Sequence, residues 1–121
     1  MYRPRETTEN LVVMASGTGT EDLSAWDIEK IHRNRGCNGL GCHFLITRDG
    51  DVHGASMNPS LREKHQVGNM DSDRNEDSVF ILMVGSHEAY TEAQEAGLNG
   101  LLSHLEEQYP EAEPLYLTII P

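Results

Sequence analysis

The side chains best able to do chemistry crowd between residues 32 and 65 of this chain. Cys37 and Cys42 form a C-x4-C pair, with His32, His43 and His65 around them. Thiolate sulfur and imidazole nitrogen are donors that zinc accepts, so a metal site is one reading. A lone C-x4-C pair without a second paired cluster is a weak zinc pattern, and adjacent strand residues diverge. A second reading is a Cys/His nucleophile, with Cys42 as the attacking thiol and His65 on the following loop as its base. The third is two plain thiols, buried or half-buried, with no chemical role. The residues leave all three open, with the plain thiols as the expectation. His87 and His104 have no partner pattern and read as surface residues.

A second group is acidic. Asp71, Asp73, Glu76 and Asp77 precede the strongest apolar run, and Glu106 and Glu107 lie near the end of the last helical pattern. Such residues are either a solvated face or an anionic surface for a basic protein partner. They are the candidate partner-facing residues. Twenty acidic residues against nine basic give a net charge of −11. No basic stripe is present to neutralise phosphates, so direct nucleic-acid binding is not expected, and neither is an anionic membrane. A field of this sign draws the chain toward basic surfaces.

The elements that must position these residues follow from patterning. At 121 residues the chain is expected to be one domain, residues 1–121, with residues 1–10 a flexible lead-in. The start is polar, with no apolar core of a signal peptide, and two cysteines read as reduced thiols; the expected location is the cytoplasm. Leu11–Met14 reads as a buried strand. Ser16-Gly17-Thr18-Gly19-Thr20 is a loop, and a Gly pair without a Lys is weak evidence for a phosphate cradle. Ser24 caps a helix carrying Ile28 and Ile31, which Gly36 would stop.

Cys42–Thr47 reads as a strand, with Cys42, Phe44 and Ile46 on one face and His43, Leu45 and Thr47 on the other. Asp49-Gly50 signals a hairpin returning through Val52–Ala55. Residues 56–77 read as a long polar loop. Val79–Val84 is a continuous apolar run suited to the centre of a covered sheet. Thr91-Glu92-Ala93-Gln94 is a capping box. Leu98, Leu101, Leu102, Leu105 and Tyr109 mark one helical face that ends before Pro110, and Leu115–Ile120 reads as a last strand. The fold class is therefore α/β, with a central mixed sheet of about five strands covered by helices.

The run from Ile31 to Val52 contains a helix end, Gly41-Cys42-His43-Phe44 and an Arg48-Asp49-Gly50 turn. Further on stand His65, Gly68 and Asn75-x-x-Ser78-Val79-x-Ile81. In order and spacing these resemble the type 2 N-acetylmuramoyl-L-alanine amidases and peptidoglycan-recognition proteins, from about Leu11 to Leu117. The resemblance implies the same α/β fold, a zinc ion and cleavage of peptidoglycan. It also implies where the zinc would sit. The first ligand position, at the end of the first strand, is Met14. The second falls in Tyr116–Ile120, which has no donor, and the third lies beyond Pro121. The family's cleft-facing Tyr is Cys42, and its loop histidine is His65.

Met14, Cys42 and His65 are thus the candidate cleft residues, with no catalytic residue and no cofactor expected, because a thioether does not ligate hydrolytic zinc. The functional expectation is a non-catalytic amidase-like protein of phage or mobile-element origin that binds and inhibits a basic protein partner. The alternative is a peptidoglycan amidase with a rearranged metal site, or a muropeptide binder that does not cut.

Overall fold

The computed structural model describes residues 8–18, 22–34, 42–54 and 77–117. Strand β1 spans Asn10–Ala15 and helix α1 Ala25–Asn34. The hairpin strands β2 and β3 span Phe44–Ile46 and Val52–Gly54. Strand β4 covers Ser78–Met83, helix α2 Glu92–Gln108 and strand β5 Glu113–Leu117. The five strands form one mixed sheet in the order β3-β2-β4-β1-β5, in which only the β2–β3 pair is antiparallel. The expected single-domain α/β architecture is what the chain adopts.

The topology decides which helix covers which face. From β1 the chain passes through α1 to β2, crossing β4; from β4 it passes through α2 to β5, crossing β1. These parallel connections leave in opposite directions, and crossovers of one hand then place α1 and α2 on opposite faces. Packing agrees. Leu11, Val13, Val79, Ile81 and Met83 share a core with Leu98, Leu101, Leu102 and Leu105 of α2. Val12, Met14, Phe80, Leu82 and Val84 share the other core with Ile28 of α1 and with Cys42 and Leu45. The central strands are apolar on both sides because both sides are covered.

The helices start where their caps dictate. The Asp27 N–H donates to Ser24 Oγ at 3.2 Å, while the Ser24 N–H donates to Asp27 Oδ2 at 3.0 Å. At α2 the capping box forms as read: the Gln94 N–H donates to Thr91 Oγ1, and the Thr91 N–H to Gln94 Oε1, both at 3.0 Å.

Some boundaries differ from expectation. Strand β1 begins at Asn10, inside the expected lead-in, because the Glu9 and Asn10 N–H groups both donate to the Asp77 carbonyl. Strand β5 begins two residues early, at Glu113. Pro114 is tolerated there because β5 is an edge strand that pairs only with β1. The expected helix stop at Gly36, the loop over residues 56–76 and the strand's last residues, 118–120, lie outside the described residues.

Candidate functional site

Two of the three cleft candidates meet. Met14 lies in the last turn of pleat of β1, paired in register with Leu82 of β4, and Cys42 precedes β2. Both are buried in the core beneath α1. Burial pushes the Cys42 thiol up to about 12, because apolar surroundings penalise the thiolate. At neutral pH this is a protonated, inert thiol, which corrects the nucleophile reading of Cys42. His65 lies outside the described residues.

Cys42 also corrects the strand alternation. It packs with Leu45, not with Ile46, which belongs to the core under α2. The cause is His43. Its N–H donates to the Phe80 carbonyl, and the Phe80 N–H donates to His43 Nδ1, both at 2.9 Å. The imidazole thereby takes a ladder bond that a backbone carbonyl would accept in a regular strand. Residues 42 and 43 bend, and the period of two starts only at Phe44. The His43 ring stacks on Phe80, centroids 6.2 Å apart and planes within 3°. Its Nδ1 is an acceptor, so this nitrogen is committed to the fold.

At the carboxyl ends of β1 and β4 the connections diverge to opposite faces, and in α/β sheets that is where ligands enter. The Ser16 N–H donates to the Met83 carbonyl and the Gly17 N–H to the Gly85 carbonyl, both at 2.9 Å. The Gly85 N–H donates to Ser16 Oγ at 2.7 Å, which also bonds Thr18 Oγ1 at 2.7 Å. The N–H groups of Ser16 and Gly17 are therefore spent on β4, not on a phosphate.

The Arg-Asp-Gly turn is structural throughout. Thr47 Oγ1 and the Asp51 N–H donate to Asp49 Oδ1 at 2.5 and 3.0 Å. The Thr47 hydroxyl first, and the Asp51 amide after it, hold the Asp49 carboxyl below its usual value. The Arg48 guanidinium donates to the Ala89 carbonyl at 3.0 Å, and Thr91 Oγ1 donates to the Arg48 carbonyl at 2.6 Å. Gly50 has φ +90°, and a Cβ there would lie 2.6 Å from the Ala93 carbonyl oxygen. The hairpin thus seats directly on α2.

One buried residue escaped the sequence reading as more than a cap. Gln94 is fully buried, and its amide donates to the Val84 carbonyl at 2.8 Å and the Ile46 carbonyl at 3.3 Å. It ties the ends of β2 and β4 to the first turn of α2. Its only sequence signal was the third position of the capping box.

The acidic candidates do not converge among the described residues. The Asp77 carboxylate accepts from Ser78 Oγ at 3.0 Å and Asn10 Nδ2 at 3.5 Å, locking the strand starts. Glu106 and Glu107 are exposed near the end of α2, whose last turn has no basic residue. Asp71, Asp73 and Glu76 lie outside the described residues.

Nor do the described donors fit a zinc ion. No three His, Cys, Asp or Glu side chains among them come together to hold a metal. Met14 is a buried thioether, and Cys42 resists ionisation.

A parallel-centred sheet with helices on opposite faces, carrying this hairpin and turn, defines a family. Residues 6–119 match the N-acetylmuramoyl-L-alanine amidase family, and the chain belongs to it. It is 30% identical over 119 residues to the endolysin of Enterobacteria phage K11, covering 92% of this chain and 75% of that one. It is 31% identical over 119 residues to the endolysin of Klebsiella phage KP32, with the same coverage. Among solved structures it resembles peptidoglycan recognition protein LE in complex with tracheal cytotoxin, a monomeric diaminopimelic acid-type peptidoglycan. That likeness has a TM-score of 0.77 and 18% identity, over 96% of this chain and 72% of the other.

These relatives overturn the expectation of a non-catalytic inhibitor. They are named endolysins, in an amidase family, which points to peptidoglycan rather than to inhibition of a protein. Net charge and the residues at three ligand positions carry less than a match that spans residues 6–119.

Proposed function

We propose that this chain acts on peptidoglycan as an N-acetylmuramoyl-L-alanine amidase, releasing the stem peptide from the lactyl group of N-acetylmuramic acid. The observation that carries the reading is the family match over residues 6–119. The carboxyl ends of β1 and β4, where the connections part to opposite faces, are the place the topology offers for substrate. Asp49, in the turn after β2, and Gln94, bonded to the Ile46 and Val84 carbonyls, brace that end of the sheet, while His43 bonds Phe80 nearer the start of β4. The family's zinc does not fit the described donors, and no step is assigned to it. Donors elsewhere in the sequence include Cys37, His65, Asp71, Asp73 and Glu76.

The burial of Met14 and Cys42 favours a second reading on the same substrate, binding of muropeptides without cleavage. One experiment separates the two. Purified chain is incubated with muropeptides, with added Zn²⁺ and with a chelator, while released stem peptide is followed by mass and binding by calorimetry. Release of the stem peptide is the expected result, and the chelator arm reads whether it depends on a metal. Saturable binding without release would replace it with the second reading, and neither release nor binding would sink both.

A further inference from the structure

The only tryptophan of the chain, Trp26, faces solvent with 68% of its surface exposed. It lies in the first turn of α1, one turn before Lys30, which is also exposed, while Ile28 is buried in the core shared with Met14 and Cys42. A large aromatic on the outer side of a helix adds nothing to that core and leaves the face of its ring free for a ligand. Because α1 links the end of β1 to the start of a parallel strand, its first turn stands at the carboxyl edge of the sheet, the end at which Ser16 and Gly85 lie. The reciprocal Ser24–Asp27 bonds hold that turn, so the indole is presented from a rigid base.

Charge narrows the occupant. Helix α2 carries four carboxylates, Glu92, Glu95, Glu106 and Glu107, and no Lys or Arg. Helix α1 carries Asp27 and Glu29 against Lys30 and Arg33, and is balanced. In a chain of net charge −11, α1 is the helix that does not repel an anionic polymer. We propose that Trp26 is a glycan-binding residue. Its indole face stacks on a pyranose ring of the peptidoglycan glycan strand and holds the polymer at the carboxyl edge of the sheet, where the stem peptide is engaged. A pyranose presents a face of C–H bonds to a π surface, a contact needing no charge and suited to an exposed aromatic. This inference rests on the peptidoglycan reading above.

Trp26 reports on its own occupancy, since all tryptophan emission comes from it. The probe is glycan strands of alternating N-acetylglucosamine and N-acetylmuramic acid, freed of stem peptides. Wild-type emission should shift to the blue and saturate with added strands. In co-sedimentation with intact wall sacculi, Trp26→Ala should raise the half-saturating concentration about tenfold, with Trp26→Phe near wild type. His104→Ala is the control; it removes an exposed ring from α2, on the opposite face of the sheet, and should leave sedimentation unchanged. Unchanged emission, or equal sedimentation of Trp26→Ala and wild type, overturns the inference. Stem-peptide release by wild type is scored separately. Release without a glycan response sinks this inference alone, and a glycan response with neither release nor binding of muropeptide sinks the amidase reading alone.

Discussion

At the scale of single residues, the polar groups beneath the site are committed to structure, and Cys42 makes that measurable. Its thiol ionises near 9.0 when exposed and is raised to about 12 by burial, so the native state keeps a proton that the unfolded chain loses. Stability therefore falls as pH rises from about 9 toward 12, because the unfolded state binds fewer protons there. Replacing the thiol removes that slope. The stability gap between wild type and Cys42→Ala, read from urea midpoints, should narrow above pH 9 and stay constant below it. In a Cys37→Ser background, Cys42 should also resist alkylation by iodoacetamide at pH 7.5 until denaturant is added. Rapid labelling of the native protein would refute the buried-thiol account.

At the scale of elements, the turn after β2 and the helix α2 are one assembly. Gly50 sits at φ +90° with its Cα against the Ala93 carbonyl, and a Cβ on Gly97 would in turn lie 2.6 Å from the Gly50 carbonyl oxygen. Gly50→Ala meets both a left-handed backbone and a backbone clash, and should cost about 1–3 kcal/mol in equilibrium unfolding. Gly100, with nothing near its would-be Cβ, is the contrast; Gly100→Ala should stabilise by about 0.5–1 kcal/mol through helix propensity. Equal effects at the two glycines would contradict this seating.

Much of the element plan was legible beforehand, and the reason is local. The capping box at Thr91, the leucine spacing of α2 and the apolar runs of β1 and β4 each carry their own signal within a few residues. What stayed hidden depends on partners distant in sequence. His43 breaks the alternation through Phe80, 37 positions away, and Gln94 reaches the Ile46 carbonyl, 48 positions away. For Met14, patterning gave the buried strand and the resemblance gave its place at the strand's end. The function is not legible at Met14 and Cys42, which pack in a core; the match over residues 6–119 carries it.

At the scale of the whole molecule, the sheet is a partition between two cores. Val12 belongs to the core under α1 and Val13 to the core under α2, although they are chain neighbours; Val13 instead shares its core and its register pair with Ile81. Residues acting on separate packing problems add, whereas those sharing one couple. Val12→Ala with Val13→Ala should therefore be additive within about 0.5 kcal/mol, while Val13→Ala with Ile81→Val should not. Along β1 and β4, then, substitutions at odd and even positions answer to different helices. Each half of the sheet is thus its own packing problem, and the core under α1 can be repacked while the odd-numbered half, untouched, keeps the chain folded.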